Sequence, residues 1–145
     1  MREVIKFSKN EAIRLYHDYI GPEHYLLGMI RKGNGIGVET LLNLHINLSD
    51  LKIALEQMLQ IPNGPVPLYY PPNKDALRVL EMAEEIAHQM KFPWVGSEHL
   101  LLGLIKQNDT VASRCLHNFG LEFYKVQKEA LNILDRKANV EQMQD

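Results

Sequence analysis

Two glutamate–histidine dipeptides carry the side chains of this sequence best placed to do chemistry: Glu23–His24 in "IGPEH" and Glu98–His99 in "VGSEH". A carboxylate beside an imidazole could move a proton, ligate a metal, or hold a guanidinium through a two-pronged contact. The same spelling also suits the start of a helix. Gly21 or Gly96 can hold the cap position, Pro22 fits the first helical position because its missing N–H is not needed there, and a glutamate one step later complements the positive end of the helix dipole. On that plain structural reading, His24 and His99 each bond to a nearby backbone group.

Zinc needs three or four converging ligands, whereas each motif offers one Glu–His pair whose side chains diverge on a helix. His17, His45, His88 and His117 do not recur in register, and the single cysteine, Cys115, reads as a core residue with no partner for a disulfide or a zinc site. The sequence contains no Gly-x-Ser-x-Gly, no His-Glu-x-x-His, no phosphate-binding glycine loop and no Cys/His nucleophile arrangement. No catalytic residue, metal ligand or cofactor is therefore expected in this chain. Recognition remains. A glutamate at a helix start sets one carboxylate next to free backbone N–H groups, so the site could take a guanidinium and an anion together. An arginine bearing a phosphate on its guanidinium offers both.

The elements that position these residues are duplicated. Shifted by 75, "IGPEHYLLGMIR" (20–31) lies over "VGSEHLLLGLIK" (95–106) with seven of twelve positions identical. Val4, Ile5 and Ala12 fall on Val79, Leu80 and Ala87, and Leu41, Asn43 and Leu59 fall on Leu116, Asn118 and Leu134, without a gap. Each unit reads as four helices. "EVIKFSKNEAIRLYH" and "ALRVLEMAEEIAHQM" show helical apolar spacing, and the short apolar "PEHYLLGMIR" and "SEHLLLGLIK" read as the most buried helices. "GVETLLNL" and "VASRCLHNF" supply the third helices; "SDLKIALEQMLQ", with Ser49 as its expected cap, and "EFYKVQKEALNILDRK" supply the fourth.

The expectation is an all-α fold of about eight helices in two pseudo-twofold-related repeats. Residues 1–60 form the first repeat, 61–72 a proline-rich linker, 73–138 the second repeat and 139–145 a polar tail expected to fray, within one compact domain. The linker "IPNGPVPLYYPP" is expected to be extended and to pack in part through Leu68, Tyr69 and Tyr70. Asn73 is expected to cap the first helix of repeat two, with Asp75 in its first turn. Met1 registers with Ala76, so repeat one lacks counterparts of Asn73, Lys74 and Asp75.

Composition narrows the partners. A net charge of -2 argues against a nucleic-acid binder, and no apolar run approaches the roughly 20 residues of a membrane span. "MREVIKFSKNEA" has no signal-peptide pattern, and a reduced, cytoplasmic setting is expected.

The doubled Gly-x-Glu-His-x-Leu-Leu-Gly pattern, each copy followed by a turn, small residues and "LLNL" or "LHNFG", resembles the Clp N-terminal repeat, closest to the N-domain of ClpC-type AAA+ unfoldases. That resemblance implies a domain that recruits substrates and adaptor proteins to a Clp ATPase ring and its protease. It implies phosphoarginine binding, one site per repeat, with Glu23 or Glu98 on the guanidinium and a helix start on the phosphate. In repeat two that start is Asn73 with Lys74, where the family typically has a threonine before a proline. With the matching residues absent from repeat one, the expected site is Glu98 ahead of Glu23. No Gly-x-x-x-x-Gly-Lys-Ser/Thr occurs, so ATP would be bound by a parent protein and not by this chain.

Overall fold

The computed structural model describes residues 1–60 and 71–144, with side chains described through residue 140. Eight helices appear among them: α1 (Arg2–Arg14), α2 (Pro22–Lys32), α3 (Ile36–Asn43), α4 (Leu48–Gln57), α5 (Lys74–Gln89), α6 (Ser97–Lys106), α7 (Val111–Asn118) and α8 (Phe123–Gln144). The described residues form no strand; their one β-type pairing is an isolated parallel bridge between Ile20 and Pro72. The duplication is realised in the backbone. α2 and α6, α3 and α7, and α4 and α8 begin 75 residues apart. Left-handed turn residues also come in register: Tyr16 (φ 60°) with Lys91 (φ 66°), and His45 (φ 65°) with Gly120 (φ 78°).

α2 and α6 form the centre, as their apolar sequences require. Leu26, Leu27 and Met29 from one, and Leu100, Leu101, Leu102, Leu104 and Ile105 from the other, are fully buried. Each such side chain contributes about 1.5–3 kcal/mol when removed from water. Gly28 lets α2 press onto α1, where an added Cβ would meet Ser8 N and Val4 O at 2.7 Å, and Gly103 repeats the arrangement against Val79 O at 3.0 Å. Helices of opposite repeats also pack together: α3 on α6 and α8, and α7 on α2 and α4. The two repeats therefore share one core. Leu68, Tyr69 and Tyr70, expected to pack on the bundle, lie outside the described residues.

Two local expectations are corrected. The cap of α4 is Asn47, whose side chain accepts from Asp50 N at 3.0 Å, so the helix starts one residue before Ser49. The amide oxygen of asparagine reaches the third N–H of the turn as well as serine does, and it stands two residues earlier. The helix expected to end near 138 continues as α8 to Gln144. Residues 134–140 bury little, but Ala138 and the "EQMQ" that follows favour helix intrinsically, so extension costs little once the turn before it exists.

Candidate functional site

Gly21 and Gly96 are N-caps in extended conformation, with φ -115° and -103°. Their glycine identity is therefore not a matter of backbone angle. It follows from the glutamate two residues on. Glu23 and Glu98 fold their carboxylates back over the glycine Cα, so that an added Cβ would sit 1.8 Å from Glu23 Oε1 or 2.3 Å from Glu98 Oε1. The Gly-x-Glu spacing thus makes room for a carboxylate tucked over a helix start.

The histidines complete the caps. Gly21 N–H donates to His24 Nδ1 at 2.8 Å and Gly96 N–H donates to His99 Nδ1 at 2.9 Å, while the His24 and His99 N–H groups donate to the glycine carbonyls at 3.0 and 3.1 Å. The imidazole thus takes the N-cap N–H as the glutamate or glutamine of a capping box does, while the glycine carbonyl, in the absence of an N-cap side chain, takes the N–H of the third residue. Because Nδ1 accepts a hydrogen bond and so bears no hydrogen, each ring carries its hydrogen on Nε2. The approaches of His24 Nδ1 to Glu23 at 3.9 Å and of His99 Nδ1 to Glu98 at 3.4 Å are therefore not ion pairs. The plain structural reading of the histidines holds.

Beyond the caps the repeats differ. In repeat one, His24 Nε2–H donates to His17 Nδ1 at 2.6 Å, and His17 Nε2–H donates to the Gln60 carbonyl at 2.7 Å. The chain of donors is consistent only with both rings neutral. Burial pushes His24 down to about 3. Tyr19 stacks on His17 with centroids 5.3 Å apart. In repeat two the register partner of His17 is Phe92, whose ring lies 5.1 Å from that of His99, and His99 Nε2 is buried without a partner. Burial holds His99 below the usual imidazole range, with Glu98 opposing. His17 and its partner Gln60 were missed in the sequence because only recurring histidines were weighed. The seven-residue spacing across one turn was the available signal.

Glu23 is 9 % exposed and Glu98 6 % exposed. Glu23 Oε1 has no hydrogen-bond partner, and burial, moderated by the backbone N–H of Glu23 itself, raises that carboxyl above the usual carboxylate range. Asp75 adds to the rise, so its negative charge is felt at Glu23. The placement of Asp75 corrects the pairing expected from sequence. Ile20 N donates to the Pro71 carbonyl at 2.9 Å and Asn73 N to the Ile20 carbonyl at 2.8 Å. These bonds lash the start of α5 to the residue just before the motif of repeat one. Asn73 and Lys74 therefore lie with Glu23, across the repeats, and not with Glu98 of their own repeat. Sequence register cannot show this, because a pseudo-twofold fold can assemble a site from either half. Glu98 sits instead at an α6 start whose Ser97 Oγ accepts from Gly37 N at 2.9 Å, joining it to α3. Asn73 Oδ1 accepts from Ala76 N at 2.8 Å, as expected for the cap of α5. No group of three or more His, Cys, Asp or Glu converges to hold a metal among the described residues, and no helix there is long and apolar enough to cross a membrane.

Comparison with known proteins follows the same lines. The sequence profile of the Clp repeat (R) N-terminal domain matches residues 1–119 and 72–145. The chain is 38% identical over 138 residues to an ATP-dependent Clp protease ATP-binding subunit ClpA homolog of Guillardia theta, covering 95% of this chain and 17% of that protein. It is 36% identical over 137 residues to the chloroplastic chaperone protein ClpC of Pisum sativum, covering 94% of this chain and 15% of that protein. It spans about a sixth of the length of these relatives. Among solved structures it resembles the N-terminal domain of the caseinolytic protease associated chaperone ClpD from Arabidopsis thaliana, with TM-score 0.68, 25% identity and coverage of 92% of this chain and 90% of that one. The Hsp104 N-terminal domain from Candida albicans shares the fold, with TM-score 0.73 at 20% identity over 90% of this chain and 86% of that one.

Proposed function

The chain belongs to the Clp repeat (R) N-terminal domain family, and from that premise we propose that it is a protein-docking module recruiting substrates and adaptor proteins to a Clp ATPase ring. In this reading it binds and does not catalyse, ATP is used by the ring, and the module works in the cytoplasm. It recognises arginine side chains, phosphorylated ones among them, through Glu23 and Glu98.

The observation that carries the reading is Glu23: a buried carboxylate with one oxygen unpartnered, held over Gly21 beside the start of α5. A carboxylate raised by burial gains most from an incoming cation, because the guanidinium replaces lost hydration with a charge-assisted pair. Lys74 and the first N–H groups of α5 supply the positive side for a phosphate. Calorimetric titration with free phosphoarginine tests this. Binding should weaken about tenfold or more in Glu23→Gln, as expected for loss of a bidentate charged contact. Glu98→Gln reports a second site in the same way. Absence of heat, or affinities unchanged in both variants, refutes arginine recognition and leaves adaptor docking to other surfaces.

One observation favours a second reading, a helical interaction or regulatory domain that does not bind phosphoarginine. Asn73 Oδ1 already takes the Ala76 N–H, and Asp75 places a negative charge in the same turn. In that case both glutamine variants lower the melting temperature slightly and alter no partner binding.

A further inference from the structure

The duplication builds a second pair of register-related surfaces, away from the glutamate motifs. In repeat one a cleft of about 450 Å³ is lined by Glu11, Arg14, Ile30, Arg31, Leu48, Ser49 and Lys52. In repeat two a cleft of about 250 Å³ is lined by Ile105, Lys106, Asn108, His117, Phe123 and Tyr124. Ile30, Arg31, Leu48 and Ser49 are the register partners of Ile105, Lys106, Phe123 and Tyr124. Each cleft therefore sets a cation from the end of the central helix beside the first turn of the fourth helix.

What the cations meet differs. In repeat one, Glu11 is buried and its carboxylate stands 3.5 Å from Arg31 and 2.7 Å from Arg14. The cleft thus carries its own counter-charge. The register partner of Glu11 is Ile86, a buried core residue. Lys106 consequently has no carboxylate within ion-pair distance among the described residues. Its ammonium lies instead 5.7 Å over the Phe123 ring. Where repeat one has Ser49, repeat two has Tyr124, 80 % exposed. Asp109 and Glu122 adjoin this region in sequence but do not line the cleft. Compared with repeat one, repeat two lacks the internal carboxylate and has an aromatic wall.

We infer that the cleft formed by Lys106, Phe123 and Tyr124 docks an acidic segment of a partner protein, taking a glutamate or aspartate carboxylate onto Lys106 and a neighbouring apolar side chain against Tyr124. Repeat one is the internal template for the first contact, because there the same position is answered by Glu11. The aromatic pair supplies the second, since a large exposed ring gains contact area at little cost in side-chain entropy. The surface is separate from the glutamate sites, so it can act whether or not those bind arginine.

The test uses the acetylated and amidated peptide Gly-Leu-Glu-Phe-Gly against its glutamine counterpart, followed by amide chemical shifts of the isotopically labelled chain. The glutamate peptide should shift Lys106, Asn108, His117, Phe123 and Tyr124, and should bind about threefold more tightly than the glutamine peptide, in keeping with a partly exposed ion pair. Lys106→Met should abolish that difference while Lys106→Arg keeps it, and Tyr124→Ala should weaken both peptides. Equal affinity for the two peptides, shifts confined to other surfaces, or no shifts at millimolar peptide each overturn the inference. Retention of the wild-type amide spectrum in the variants separates lost docking from lost fold.

Discussion

Protonation of His24 should destabilise the shared core from within repeat one. Its Nδ1 accepts from Gly21 and its Nε2–H donates to His17, so the ring has no site for a second proton without breaking a bond. Folding holds the group at about 3 against an ordinary value of 6.5. A histidine depressed in the folded state stabilises fully above its unfolded value and loses that contribution as pH falls from 6.5 towards 3. Each pH unit within this window is worth ~1.4 kcal/mol, so lowering pH from about 7.5 to about 5.0 should remove about 2 kcal/mol through this residue. The perturbation is His24→Gln, which keeps an acceptor at the third position of the capping box and does not titrate. Urea unfolding at both pH values, with stabilities from midpoint and slope, gives the loss for each protein. Contributions from Glu23, which has the opposite sign because burial raises its carboxyl, and from His99 are present in both proteins and cancel in the difference. The wild type should lose about 2 kcal/mol more than the variant. Equal losses would refute the claim that the imidazole chain is held neutral.

Three further outcomes follow from the geometry. Gly28→Ala should cost about 2–3 kcal/mol, because its Cβ would meet backbone at 2.7 Å, and Gly103→Ala less, with its closest contact at 3.0 Å; thermal melts of the two variants rank them. Replacing His45, held at φ 65°, by glycine should raise stability by about 1 kcal/mol, matching its register partner Gly120, and denaturant midpoints measure the gain. Gly96→Ala should change stability by about 1 kcal/mol or less yet displace the Glu98 carboxylate, since the clash at 2.3 Å falls on the far end of a flexible side chain; circular dichroism and phosphoarginine titration should therefore diverge.

Much of the architecture was readable before folding was considered. The 75-residue register and the apolar spacing specified eight helices in two units, because burial of one helical face demands that periodicity. Capping was readable at Gly21, Gly96 and Asn73 for the same local reason. Less local features were not. Asn47 displaced Ser49 as a cap by a choice between two residues that both suit the role. The end of α8 was set by helix propagation, which a polar composition does not forbid.

By itself, then, the sequence determined a duplicated all-α family fold and the two glutamates set over helix starts, since these depend on side-chain pattern within a few turns. Tertiary structure alone decided which helix start each glutamate meets. It gave Asn73, Lys74 and Asp75 to Glu23 by lashing residues 71–73 to Ile20, and it joined His17 to His24. It also brought Glu11 to Arg31, a contact Lys106 lacks because Ile86 stands in register with Glu11. These are contacts between segments whose approach is fixed by packing of a common core, and packing depends on the whole set of buried side chains.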